Sequence, residues 1–577
     1  MTIDFFQRPE LLCKTARYRR IGTLDRVYEG RQYDGRPNWW TGQHKPGDKE
    51  VPLRERKPCV IYKLPKAAVR QVVNFLFGEG RFPKISLEVS AGDSGYPALN
   101  EEEATQLSKW ISAAIEAASI QTNIQAIAER AIATGSAPVV IELIEGSYKF
   151  SFPRAQDSWA EFVNDTPERG VRRFVWCYEY QEERIDRGGA VVSVTMMFRR
   201  EWDEKNVYVF EPVEIKPGVD LAWGTPETKP HGLSFCPVVW IQNEPEYAES
   251  IDGISLIADL EDEFEALDMA LSRRHQGIIY LGAPQIVETG VEEDDGPSAD
   301  GRRAGPAGFS GEGPGYRVTD KARRIAPDSV WTYQGKDVDV KMLETSGKAF
   351  EVGTAHVNDI RSRVLETMSV VLTSMTDTLG RVTNGAEMSA RFLALAHAPL
   401  IALVQRYRQS WWPKALRPVL DMMLRMAVEV SASNQVVLVP GTESVTKIAS
   451  RFAADGQWTP VRMTAKWGRF FDPSSSEIKT STEAAAKAKD KSLISHETAV
   501  EFVAHDYSID SVEEELREIA KDQTTAVSNE LSVLKRMNDG AVGVQSPSEP
   551  VQANSDRRGA EGGQNDTVQP GPRSTGP

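Results

Sequence analysis

Five kinds of residue in this chain could carry chemistry, and spacing decides each case. A phosphate loop of the form GxxxxGK[ST] cradles phosphate in backbone N–H groups while its lysine neutralises charge. The nearest strings are Gly42 to Gly47-Asp48, with an acid in the lysine position, and Ser346-Gly347-Lys348, which lacks the leading glycine. No nucleoside triphosphate hydrolysis is expected. Gly92-Asp93-Ser94-Gly95 follows the start of the GDSGG string around a serine-protease nucleophile, but Tyr96 breaks it and only His44 lies upstream. A turn is the expected reading.

The histidines stand at 44, 231, 275, 356, 397, 496 and 505, with no pair at metal-ligand spacing. Cys13, Cys59, Cys177 and Cys236 form no CxxC and read as scattered reduced thiols of a cytoplasmic protein. Acids fill six of the ten positions 259–268: Asp259, Glu261, Asp262, Glu263, Glu265 and Asp268. They lack the glycine and alternating oxygen ligands of a calcium loop, so a solvated helix face is expected. The residues therefore point to no catalytic group, metal or cofactor. A nuclease working through those carboxylates is the enzymatic alternative.

The elements that would position such residues follow from periodicity. The chain has 577 residues, enough for about two to four domains. Its net charge of −15 argues against a wide grip on phosphates. No apolar run approaches the roughly 20 residues of a membrane span, and MTIDFFQRPE lacks a signal-peptide pattern.

Residues 1–80 read as largely helical around an aromatic-rich loop at 28–58. Residues 101–134 read as one helix ended by Gly135, with Ile111, Ile115, Ile120, Ile124 and Ile127 on its apolar face. From 138 to about 245 the period becomes two, predicting a β-rich insert. Residues 251–276 return to helix. There Ile257, Leu260, Phe264, Leu267 and Leu271, spaced 3, 4, 3 and 4, form a seam that needs a partner.

A strand at GIIYLGAPQIV, a strand at 330–335 and a helix over 341–370 are expected next. Between them, 291–316 holds ten Gly or Pro in 26 positions and reads as flexible. After the turn Thr383-Asn384-Gly385 a long helix begins, kinked at Pro399. Short strands over 431–475 and three helices at 477–491, 496–504 and 511–537 complete the ordered part. The residues from Gly540 onward read as disordered. The fold class is α+β, mainly helical.

Several stretches, in this order, resemble the portal protein of tailed double-stranded DNA bacteriophages. They are RVYEGRQY, YKLPKAAVRQVVNFLFGEGRFPKIS, SIDGISLIADLEDEFEALDMALSRRHQ with its turn at Gly253 and Ser255, TNGAEMSARF, and WGRFFDPSSSEI followed by SLISHETAVEFVAHDYSIDSVEEELREIAKD. The resemblance spans roughly 20–537 and departs at the 291–316 insert and the tail. It implies a head–tail connector at one capsid vertex of the virion, a ring of about twelve subunits assembled in the host cytoplasm. Double-stranded DNA would be packaged and ejected through its channel. Partners would be the terminase large subunit, which supplies the ATPase, a head–tail adaptor, and the major capsid and scaffolding proteins, with no membrane.

The family anatomy maps onto wing (1–250), stem (251–276 and 341–368), clip (277–340), tunnel loop, long kinked helix and wing return (369–475), crown (476–537) and tail (538–577). Thr376, Asp377, Thr378, Arg381, Thr383, Asn384 and Gly385 would form the tunnel loop in the DNA channel. Glu261, Glu265 and Asp268 would form an acidic stem face, and the Ile257–Leu271 stripe an inter-subunit seam. The competing expectation is an oligomeric scaffold or adaptor that conducts no DNA.

Overall fold

Local chemistry sets where the helices begin and end. Thr15 accepts the Tyr18 N–H at the start of α1 (Ala16–Glu29), and Gly30, at φ 71°, closes it. Asn100 and Glu103 form a reciprocal capping box at the start of α3 (Glu101–Ala117). The single helix expected over 101–134 is two, since Ser119 turns to φ 49° before α4 (Ile120–Thr134). The Asn123 amide donates to the Ala118 carbonyl at 3.1 Å, offering that oxygen a partner outside the helix ladder. The break lets α3 lie on β1 (Lys84–Leu87) while α4 packs against α2 (Leu64–Phe77).

A computed structural model provides the structure. It describes residues 5–45, 47–88, 98–165, 170–185, 189–219, 221–247, 250–282, 285–289, 339–343, 348–372, 390–432, 437–456, 458–471, 475–504, 507, 509, 512, 515–525 and 528. The expected flexible insert, the strand at 330–335 and the tail lie outside these residues. The chain is mixed α+β and mainly helical, about 51% helix and 19% strand. It divides into two units, Met1–Asp472 and Pro473–Pro577.

In the first unit the period-two region folds into two antiparallel sheets. β2 (Ser136–Ile144) is flanked by β3 (Ser147–Ser151) and β10 (Val238–Gln242). The larger sheet runs β4 (Ser158–Phe162), β5 (Val171–Ile185), β6 (Val191–Trp202), β7 (Asn206–Val209) and β9 (Glu227–Pro230), with β8 (Val213–Glu214) also on β6. Phe174 and Trp202 of this sheet pack with Val140 and Trp240 of the smaller one. Val175, Cys177 and Met197 bury Phe6 and Leu12 of the N-terminal segment.

The helical core joins α2, α3 and α4 to the helices that follow. Residues 251–259 form a turn, and α5 starts only at Glu261 and runs to Gly282. The expected strand at GIIYLG is thus the last turns of α5; its apolar, β-branched run fits either state, and helix propagation wins. β11 (Gln285–Thr289) pairs antiparallel with β12 (Asp339–Leu343), so the expected helix over 341–370 begins at Lys348 as α6 (Lys348–Thr367).

The long helix after the turn is three segments. α7 (Ala390–Ala396) ends at His397, and Pro399 sits in the first turn of α8 (Ala398–Trp411), where its missing N–H costs nothing. A π-helical turn, Trp412–Leu416, carries Pro413 and leads into α9 (Arg417–Ala432). Among the described residues the strands expected over 431–475 reduce to one, β13 (Met463–Lys466) on β1, while α10 (Thr442–Ala449) and the 3-10 segment Ser450–Gly456 are helical. No described helix is long and apolar enough to cross a membrane. In the second unit α11 (Ser475–Asp490) and α12 (His496–Ala504) pack together; Ser495 caps α12 through the Thr498 N–H at 3.0 Å, and 515–525 are helical.

One crossing fastens the first unit. Asn243 is fully buried. Its N–H donates to the Gly135 carbonyl at 2.9 Å and its side-chain amide to the Ile254 carbonyl at 2.8 Å. Its side-chain oxygen accepts the Trp411 indole N–H at 2.9 Å, and its carbonyl accepts the Ser410 hydroxyl at 2.6 Å. Gly135, at φ 98°, lies so close to Gly253 that a Cβ would sit 2.2 Å from the Gly253 carbonyl oxygen. Gly135→Ala should therefore abolish soluble folded protein. Gly189→Ala, at φ 79° with no atom within 4 Å, should lose only about 1–2 kcal/mol of backbone strain. Chemical denaturation of both variants checks this, and equal losses would show that the close approach is unimportant.

Candidate functional site

The hairpin of α5, β11, β12 and α6 is the natural place to look, because the sequence placed two sets of site residues on it. The chain is described up to Leu372 and resumes at Ala390. The tunnel-loop residues Thr376, Asp377, Thr378, Arg381, Thr383, Asn384 and Gly385 therefore lie outside the described residues.

The apolar stripe finds its partner inside the chain. Ile257, Leu260, Phe264 and Leu267 are buried in the main core, and Leu271 packs partly buried against it. Val357 and Val364 of α6 and Met368 just after it join the same cluster. Ile257 belongs to the turn before α5, so the 3-4 spacing is not one continuous helical seam. The inference that this stripe needs a second subunit falls away. A charge at Leu267, only 1% exposed, would unfold the subunit before it tested assembly.

The acidic stretch is not one solvated face either. Asp262 and Glu263 are exposed and Glu261 is half-buried. Glu265 holds the Arg36 guanidinium with both oxygens, at 2.6 and 3.1 Å. Asp268 is buried, at 1% exposure. It accepts the Tyr62 backbone N–H at 2.7 Å, the Tyr33 hydroxyl at 2.8 Å and the Gln32 amide at 3.4 Å. One turn further, the Ser272 hydroxyl accepts the Val60 N–H at 3.0 Å. Positions 265, 268 and 272 share one face of α5. They hold both ends of the aromatic-rich loop that follows α1. A run of acids reads as surface from sequence; the signal that was missed is the supply of donors, Tyr33, Arg36 and Tyr62, far upstream.

Burial pushes the Asp268 carboxyl up to about 6, with Glu265 adding to the rise while the Tyr62 N–H and Tyr33 hydroxyl pull it down. Burial, then the Asp268 charge, raises the Tyr33 hydroxyl.

Along α8, from His397 at its start to Arg408 in its last turn, lies a cationic and aromatic cluster that periodicity does not reveal. Arg408 is buried and stacks 4.1 Å from the Phe470 ring centre and 5.1 Å from that of Trp467. Among the described residues its Nε and Nη2 have no hydrogen-bond partner. Burial, then the Arg81 charge, lowers it to about 10, so it stays cationic at neutral pH. His397 is buried between the Phe75 and Phe471 rings and its basicity is lowered by burial.

Asp268 should leave a mark on stability. Unfolded, an aspartate titrates at about 3.9; here it titrates at about 6. Between those values the folded chain holds the extra proton, so stability falls as pH rises through the window. Relative to Asp268→Asn, the wild-type unfolding midpoint should drop between about pH 4 and pH 6 and then level off. A constant difference across that range would show that the buried carboxyl titrates normally.

No protein-family model matches the chain, and no curated protein is similar to it in sequence.

Proposed function

We propose that this chain is the subunit of a portal ring through which double-stranded DNA enters and leaves a bacteriophage capsid. The observation that carries the reading is the hairpin. α5 and α6 lie against each other and are continued by the antiparallel ribbon β11–β12. A stem of two helices topped by a clip is the arrangement expected from the resemblance. The turn at 251–259 that precedes α5 is also in keeping with it. Ser255 donates to the Ala133 carbonyl at 2.6 Å, and Gly253 meets Gly135.

In this reading about twelve copies close a ring by a repeated heterologous contact. The terminase large subunit docks during packaging and a head–tail adaptor afterwards, at a virion vertex built with the major capsid and scaffolding proteins. A net charge of −15 per subunit suits a conduit that lets DNA slide. Like charge repels the phosphates and is screened beyond about 8 Å at physiological salt. With the 257–271 stripe consumed internally, subunit contact needs other surfaces. Ile278 and Ile279 near the end of α5 and Val352 near the start of α6 are exposed apolar residues at the ribbon end of the hairpin. That exposure alone would also serve an oligomeric scaffold without a DNA channel.

Electron microscopy of the purified chain should show rings with a central hole, whereas compact single subunits would end the proposal. Ile279→Asp should weaken assembly while leaving the subunit's unfolding free energy within about 0.5 kcal/mol of wild type. Arg381→Glu should form normal rings but protect less DNA from nuclease in a packaging assay. Wild-type packaging by that variant would remove Arg381 from any role in handling DNA.

A further inference from the structure

Two cavities open side by side along α1, one facing β5 of the larger sheet and the other facing the residues that follow α1. One, of about 400 Å³, is walled by Phe152, Trp176 and Tyr178 and includes the acids Asp157 and Glu179. The other, of about 300 Å³, is bordered by Arg19, Arg26 and Arg31. Tyr18, Arg154 and Gln156 line both, so they are adjoining chambers of one cleft.

Each chamber has its own chemistry. In the first, Trp176 and Tyr178 stand next but one on β5, their ring centres 5.4 Å apart and both half-buried, beside an exposed Phe152. This is a shelf for a flat ring. Asp157 is 6% exposed. The 3-10 turn Ala155–Asp157 fixes it, and the Asp157 N–H donates to the Arg154 carbonyl at 3.0 Å. Burial raises its carboxyl to about 6, with Arg154 the largest opposing influence. Near neutral pH it offers acceptor oxygens to ring-borne N–H groups.

The second chamber holds two acids: Asp25 is already engaged by Arg130 at 2.6 Å and Arg31 at 3.7 Å, and Asp34 lies 3.9 Å from the Lys57 ammonium. Arg19 and Arg154 form no ion pair among the described residues. Guanidinium groups in this state match the oxygens of a phosphate. A ring shelf, a buried acceptor and spare guanidiniums joined at Arg154 are the recognition elements of one molecule class.

We propose that this cleft binds a nucleoside monophosphate unit, its base on the Trp176 and Tyr178 rings and its phosphate among the arginines. The unit could be a free nucleotide or the 5′-phosphorylated end of a strand; the chambers are too small for a duplex. This is independent of ring formation and of any hydrolysis.

Titration calorimetry on the full chain with adenosine 5′-monophosphate tests it. Adenosine and inorganic phosphate should each bind at least about tenfold more weakly than the nucleotide. Trp176→Ala and Arg154→Ala should each weaken nucleotide binding at least about tenfold. Arg154 is exposed, so its variant should keep the unfolding midpoint, whereas Trp176→Ala gives up packing on Phe198 and should stay folded with a lower midpoint. Trp176→Phe, which keeps a ring, should stay within about threefold. Should Arg154→Ala fail to fold, Arg19→Ala takes its place in the comparison. A 5′-phosphorylated deoxyadenosine oligonucleotide that equals or exceeds the mononucleotide assigns the site to strand ends. One that binds far more weakly assigns it to free nucleotides, and either result supports the proposal. No binding of the mononucleotide at millimolar concentration overturns it. So does inorganic phosphate binding as tightly as the nucleotide, or a Trp176→Ala variant that binds as wild type.

Discussion

The fully buried amide of Asn243 is the constraint on which the first unit depends. Two donors and two acceptors of one residue reach three separate stretches: the α4–β2 junction, the turn before α5, and the last turn of α8 at Ser410 and Trp411. In a dry site each of these groups would be costly to leave unpaired. Any shift of one stretch therefore breaks bonds to the others. Arg17 reinforces the same place from α1, holding Asp252 with contacts of 2.5 and 2.8 Å. The turn at 250–254 is thereby fixed from several sides, and α5 leaves it in a set direction.

From that turn, direction and exposure divide the hairpin into two halves. Its near half is built into the core: Phe264, Leu267, Val364 and Met368 are buried, and the Asp268 and Ser272 side chains hold the loop from α1. Toward the ribbon, Ile278, Ile279 and Val352 stand in solvent. Rigid attachment at one end and apolar exposure at the other is what an element needs if it is to meet another chain without deforming its own.

Buried charge is handled in two ways. Burial weakens the acidity of Asp268, while the donors around it satisfy its oxygens. Arg408 has aromatic faces instead of an acid. Cation–π contact offsets part of its desolvation, while two of its N–H-bearing nitrogens remain without partners among the described residues. The helix around it is held less by that charge than by Leu403, Val404, Tyr407 and Trp411, all buried.

Much of the architecture was legible in the amino-acid order because it rests on local rules. The Gly135 stop, the strands from 138 to 242 and the helix at 496–504 each follow from neighbours in sequence. The errors fell where two local states are nearly equal. Gly277 to Gly282 could extend a helix or start a strand, and Asp339–Leu343 became a strand because β11 was there to pair with it. The sites were less legible still. Six acids in ten positions fix the net charge of a segment, but not which acid is buried. Only folding brought Tyr33, Arg36 and Tyr62, more than two hundred residues upstream, onto Glu265 and Asp268. Likewise Tyr18, Asp157 and Trp176 line one cavity although they lie far apart in the chain. Spacing encodes what a residue's neighbours in one helix or strand can do. Desolvation and long-range donors come from other elements, and these decide the chemistry of a buried group.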